Sequence, residues 1–154
     1  MKKLIAFILS GVMMMGVLAS CGAPKDIDVA QAADTLKNSL KFDGNMEELG
    51  SKMLESTYNG IAADSIETFK AYTSPDITAE EIGVFETKDE NAAKELKTVL
   101  DQHVTEQKDL YADYSPEGAQ RLEKAVVRQN GKYVIICVAG DGSKTAAEVD
   151  KILK

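Results

Sequence analysis

Three kinds of hydrophobic pattern follow one another along this chain. From Leu4 to Val17 the residues are apolar or small and carry no charge. From Val29 to Leu40 and from Glu90 to Tyr111 apolar residues instead recur every three or four positions, the spacing of one helix face. Near the C-terminus, Tyr133 to Ala139 is continuously apolar, the pattern of a strand buried in the middle of a sheet.

Turn and cap residues divide the rest. Asp28 is placed to cap a helix over Val29–Leu40, with Val29, Ala33, Leu36 and Leu40 on one face. Phe42-Asp43-Gly44-Asn45 breaks it, and Met46, Leu49 and Met53 suggest a second, shorter helix over Met46–Glu55, closed by Asn59-Gly60. From Ser65 the period changes: Glu67–Thr73 and Glu81–Glu86 read as strands around the turn at Ser74-Pro75-Asp76. The long helix Glu90–Tyr111 follows, with Ala93, Leu96, Leu100, Val104 and Tyr111 in one stripe flanked by Val99, His103 and Leu110. Ser115-Pro116 supplies a cap and a proline for a short helix to about Glu123. Strands at Ala125–Gln129 and Lys132–Ala139 are joined by Asn130-Gly131, a strong hairpin signal. After Gly140-Asp141-Gly142, Thr145 and Glu148 have the spacing of a capping box for a last helix bearing Ala146, Val149, Ile152 and Leu153.

These elements predict an α+β domain. The expected architecture is an antiparallel sheet of about four strands in two hairpins, with the long and the last helix on one face and an N-terminal helical pair beside it. Hairpin followed by helix occurs twice, with Ile82 and Val84-Phe85 matching Ile135 and Cys137-Val138, and Ala93 and Leu96 matching Ala146 and Val149. Any strand running into an amphipathic helix uses such residues, so the similarity does not establish a repeat.

The first apolar run changes the picture of where the domain sits. Met1-Lys2-Lys3, an uncharged stretch and then Leu18-Ala19-Ser20-Cys21 form a secretory leader, too short for a membrane span. Its end resembles a lipobox, at which a diacylglyceryl group is attached to the thiol before cleavage. Cys21 is therefore the expected lipid-attachment residue and mature N-terminus. Two acyl chains hold a protein stably, at about 0.8 kcal/mol per buried CH2. The predicted organisation is a leader at 1–20, a tether at 21–27 containing Pro24, and one domain at 28–154, held at the extracytoplasmic face of the cell membrane.

Processing also changes the charge. Losing Lys2 and Lys3 takes the 18 basic residues to 16 against 25 acidic ones, a formal balance of −9. Nucleic acid is excluded as a partner, because phosphate backbones need a basic footprint. Asp43-Gly44-Asn45-Met46-Glu47-Glu48 has oxygen ligands near a glycine, yet lacks the spacing of a calcium loop.

Candidate chemistry is sparse. With Cys21 acylated, Cys137 is the one thiol of the mature chain and reads as a small core residue, which excludes an internal disulfide. His103 is the only histidine, so a histidine-cluster zinc site is excluded, and its place beside a helical stripe makes it a packing residue. Gln107 falls within that stripe, where a buried amide needs a bond to a neighbouring backbone. Ala139-Gly140-Asp141-Gly142-Ser143 lies between strand and helix but lacks the lysine of a phosphate loop, and a capped turn accounts for it. The five tyrosines include candidates for stacking on a ligand, with no tryptophan among them. No catalytic residue, metal ligand or cofactor is assigned.

Ala79-Glu80-Glu81-Ile82-Gly83-Val84-Phe85, Tyr114-Ser115-Pro116 and Gly131-Lys132-Tyr133-Val134 resemble landmarks of an uncharacterised family of lipoproteins from Clostridia and related Firmicutes, the domain of unknown function forty-three fifty-eight. The resemblance spans about residues 26–154. It implies a Gram-positive cell-surface lipoprotein and supplies no activity. The expectation is a non-catalytic binding or interaction module of the envelope, whose partners are the membrane, through Cys21, and an envelope protein or small ligand. The alternative is a carboxylate-dependent envelope hydrolase, which would show paired acids flanking a cleft.

Overall fold

All six side chains of the strand Tyr133–Val138 are buried, which requires cover on both of its faces. The computed structural model describes residues 26–154, so the leader and Cys21 lie outside the described residues. In chain order the elements are α1 (Val29–Ser39), β1 (Glu47–Glu48), a 3-10 turn at Ser51–Met53 running into α2 (Leu54–Thr57), β2 (Ile66–Thr73), β3 (Glu81–Thr87), α3 (Glu90–Tyr114), α4 (Pro116–Leu122), β4 (Val126–Asn130), β5 (Tyr133–Val138) and α5 (Gly142–Leu153). The strands form one sheet in the order β1-β2-β3-β5-β4, every neighbouring pair antiparallel.

The alternation of side chains across the sheet builds two cores. Val84 lies opposite Ile135, and both face α1 and α5 along with Ile82, Val126 and Cys137. One residue along, Phe85 lies opposite Val134, and both face α3 and α2 along with Val127 and Ile136. The sheet is therefore the middle layer of three, and the long and last helices are on opposite faces rather than sharing one. A strand apolar at every position cannot leave one face to solvent without exposing half of its side chains. The same geometry answers the question of a repeat. Two antiparallel hairpins whose helices leave on opposite faces are not superposed by rotating one onto the other.

The local signals act where they were expected. Asp28 accepts from the Gln31 amide at the start of α1 and Ser115 from Gly118 at the start of α4. The β4–β5 hairpin forms too, but its two-residue turn is Gly131-Lys132 rather than Asn130-Gly131: Asn130 pairs with Tyr133, and Gly131 takes φ +54°. Two elements differ. Met46–Glu55 is not a helix: Glu47 and Glu48 pair with Thr73 and Tyr72, and the Leu49 amide donates to the Ala71 carbonyl. Backbone hydrogen bonds to the open edge of β2 outweigh a weak helical pattern interrupted at Gly50, so the expected second helix is replaced by β1, the 3-10 turn and the single turn of α2. The last helix begins a turn earlier than its capping-box signal, because Asp141 accepts from the Lys144 amide. Thr145 is buried inside the first turn, and its hydroxyl donates to the Asp141 carbonyl.

Among the described residues no helix is long and apolar enough to cross a membrane. α1 is fixed to the sheet edge by a polar clasp. The Tyr72 hydroxyl donates to Asp34, Lys70 pairs with Asp34 at 3.0 Å, and the Lys37 ammonium lies 4.1 Å from the centre of the Tyr72 ring. The Tyr72 hydrogen bond, followed by that of Lys70, holds the Asp34 carboxyl below its ordinary pKa.

Candidate functional site

The most unusual chemistry lies where β3 begins. Glu80 and Glu81 are adjacent, both almost wholly buried, and are received by different partners. Burying a carboxylate is costly unless hydrogen bonds or a cation meet it, so each partner set is informative.

Glu80 meets the loop that follows α1. Its carboxylate accepts from the Asp43 amide at 3.0 Å and the Gly44 amide at 2.7 Å, and the Arg121 guanidinium lies 3.7 Å away. Arg121, buried on α4, also donates to Asp43, to Glu117 at 2.9 Å and to the Thr78 carbonyl at 3.2 Å. One carboxylate and one guanidinium thus tie together the loop after α1, the β2–β3 connection and α4. A Cβ at Gly44 would stand 2.2 Å from the Ser74 hydroxyl oxygen, so a larger residue there would have to displace that side chain.

Glu81 points beneath α3. Both of its oxygens lie 3.1 Å from His103 Nε2, and both residues are more than nine-tenths buried. The Tyr58 ring packs edge-on to His103, with centroids 4.9 Å apart, and edge-on to Phe85 at 5.6 Å. The Tyr58 hydroxyl faces Glu81 without closing a hydrogen bond of ordinary geometry. Burial pulls the His103 imidazole pKa down, but the hydrogen bond and charge of Glu81, with the charge of Glu106, more than offset it and leave it raised above 6.5. Burial, followed by the charge of Glu81, pushes Tyr58 well above the ordinary phenol range, so it stays neutral.

The other residues marked by the sequence fall in plain roles. Cys137 is buried, and burial, then the charge of Glu81, raises its thiol far above the ordinary range, so it is not a thiolate nucleophile. Gln107 is half-buried rather than a core amide. The Gly140–Ser143 segment is the capped start of α5, and among the described residues no group of three His, Cys, Asp or Glu side chains is placed to hold a metal ion. Asp43 and Asp141 line a groove of about 350 Å³ with Lys41 and Lys144. Tyr58, Tyr72 and Tyr133 are core residues, Tyr111 is half-buried and Tyr114 is half-exposed.

Sequence reasoning did not find the pairing of Glu81 with His103 or the burial of Arg121. The available signal was two glutamates directly ahead of an apolar strand, a place where buried charge must find a partner. What the fold and this polar end define is an antiparallel sheet covered on both faces and pinned by buried ion pairs. The family described as "Domain of unknown function (DUF4358)" matches residues 38–139, well over half of the chain, and the chain belongs to that family. No curated protein and no solved structure matches the chain.

Proposed function

We propose that this chain is a lipoprotein of a Gram-positive cell membrane, acylated at Cys21, whose 28–154 domain is a non-catalytic binding or interaction module of the envelope. The anchor rests on Leu18-Ala19-Ser20-Cys21 following a basic, apolar leader. The observation that carries the non-catalytic reading is the engagement of the buried ionisable groups. Glu80, Glu81, Arg121 and His103 are each taken up by partners from another part of the fold. These groups are also buried, which keeps them out of reach of a substrate at the surface.

The competing hydrolase needs two free carboxylates across one groove. Asp43 and Asp141 share such a groove, but Asp43 accepts from Arg121 and Asp141 caps α5. That commitment weighs against the enzyme. Mass spectrometry of the protein from its native membrane tests the anchor: a mature N-terminus at a diacylated Cys21 is expected, and any other N-terminus overturns it. Incubation with cell-wall polymers tests the absence of hydrolysis. Release of fragments by the wild type, lost in Asp43→Asn or Asp141→Asn, would establish the enzyme instead.

A further inference from the structure

α3 is longer than the sheet it covers. Its 25 residues span about 37 Å at 1.5 Å per residue, whereas the seven residues of β3 span about 23 Å. The buried positions of α3 are Ala93, Leu96, Leu100 and His103, all in its first fourteen residues, while its later half packs against α4, with Lys108 paired to Glu123 and the Tyr111 ring beside Gly118. The apolar stripe nevertheless continues. Leu110 and Tyr114, one turn apart, are 56% and 50% exposed, and Tyr114 packs against Tyr111 with ring centroids 4.9 Å apart. Ile77, 64% exposed, adds to this patch from the β2–β3 connection, where its carbonyl accepts from the Ser115 hydroxyl.

The charge beside this patch is one-sided. Glu106, Asp109 and Asp113 lie on the strip of α3 adjoining Leu110, within roughly 100° of it at 100° per residue. The nearby cations are committed elsewhere, Lys108 to Glu123 at 3.2 Å and Arg121 to Glu117 and Asp43. Asp113 also sits in the last turn of a helix that carries no basic residue there, against the negative end of the helix dipole. A cation arriving from outside would offset that unfavourable placement.

We propose that the C-terminal end of α3, with Ile77, is a docking surface for a cationic amphipathic helix of an envelope partner. Apolar residues of that helix would cover Leu110 and Tyr114, and its lysines or arginines would lie along Glu106, Asp109 and Asp113. A second copy of this chain brings the same acids to the contact and is repelled. An anionic lipid surface is repelled likewise. The proposal rests on the interaction-module reading and adds the chemistry of the partner.

The test uses the full chain in zwitterionic nanodiscs, with empty nanodiscs as reference, titrated with a labelled 18-residue helical peptide of leucine and lysine and with its leucine and glutamate counterpart. The lysine peptide should bind and the glutamate peptide should not. Leu110→Ser with Tyr114→Ser should weaken binding about tenfold or more, and Asp109→Asn with Asp113→Asn about three- to fivefold with a shallower salt dependence. Met53→Ser, at an exposed apolar residue in the 3-10 turn, should bind as wild type, and circular dichroism should show every variant folded. Unchanged affinity in the folded patch variants overturns the proposal, as does equal binding of both peptides. A dimer that the Leu110→Ser and Tyr114→Ser pair dissolves assigns the patch to a second copy, and patch-dependent binding to anionic vesicles assigns it to lipid; either overturns the proposal. The titration does not depend on how the chain reaches the membrane, so an N-terminus other than Cys21 would defeat the anchor and leave this result standing.

Discussion

Replacing Glu80 by alanine should be among the most damaging single changes to this domain. The substitution leaves the amides of Asp43 and Gly44, now bonded at 3.0 and 2.7 Å, without an acceptor, and removes one of the carboxylates around Arg121. Each of these part-buried amides left without an acceptor costs at most about 1–3 kcal/mol, and breaking one side of a buried ion pair costs about 3–5 kcal/mol. These terms overlap, because the same carboxylate serves both, so the expected loss is about 3–5 kcal/mol. Against a total stability of about 5–15 kcal/mol the variant should still fold, with Tm lower by roughly 10–20 °C. Glu80→Gln keeps the shape and one acceptor and should lose about half as much. Urea denaturation followed by circular dichroism measures the change, and hydrogen exchange at Asp43 and Gly44 should accelerate in Glu80→Ala well before global unfolding. A double-mutant cycle of Glu80→Gln with Arg121→Met should give a coupling of about 1–3 kcal/mol. A loss in Glu80→Ala below about 0.5 kcal/mol, the range of an ordinary surface substitution, would refute the reasoning, because the carboxylate would then not be what holds the loop.

The Glu81–His103 pair makes stability pH-dependent. The native imidazole pKa lies above 6.5, so the folded state holds the proton over a window where the unfolded chain has released it; the contribution is full below pH 6.5 and is lost as pH rises through the native pKa. The unfolding free energy from urea titrations should fall across that window, by at most about 1.4 kcal/mol per pH unit, and His103→Gln should remove the slope; an unchanged slope in the variant contradicts the assignment. Gly83→Ala places a Cβ 2.6 Å from the Phe85 ring and 2.9 Å from an Ile136 methyl, and should cost about 1–3 kcal/mol by overpacking, read as a lower thermal midpoint. Cys137→Ala should cost on the order of 1 kcal/mol, and in the folded protein the thiol should react with a maleimide far more slowly than under denaturing conditions; equal rates would show it exposed.

Several features were legible in the sequence because their cause is local. Asn130-Gly131 marked a hairpin, since the turn needs the left-handed backbone that Gly131 adopts at φ +54°, although the loop closes one residue later than expected, with Asn130 paired to Tyr133. Asp28 and Ser115 determined where helices start, through side chains that accept from amides three residues on. The continuous apolar run of β5 determined that it lies inside the sheet, and it does, between β3 and β4. That run also implied cover on both faces, an implication the expected single helical layer did not follow.

What only the tertiary structure decided is which surfaces meet. Periodicity tells which residues share a face of a helix, but not which side of the sheet that face lies against, so α3 and α5 could be separated only once their connections were seen. Met46–Glu55 had a helical pattern and became an edge strand and a 3-10 turn because β2 offered unpaired backbone groups, a partner no local window contains. Thr145 had the spacing of a capping box, but it is buried inside the first turn and Asp141 caps the helix instead. Glu80 and Glu81 look in the sequence like two solvated acids at the start of a strand. Their burial depends on Arg121, 41 and 40 positions away, and on His103 and the loop after α1, brought to them by the packing of three separate elements. Charge can be buried only where partners from distant parts of the chain converge, and that convergence is a property of the folded whole.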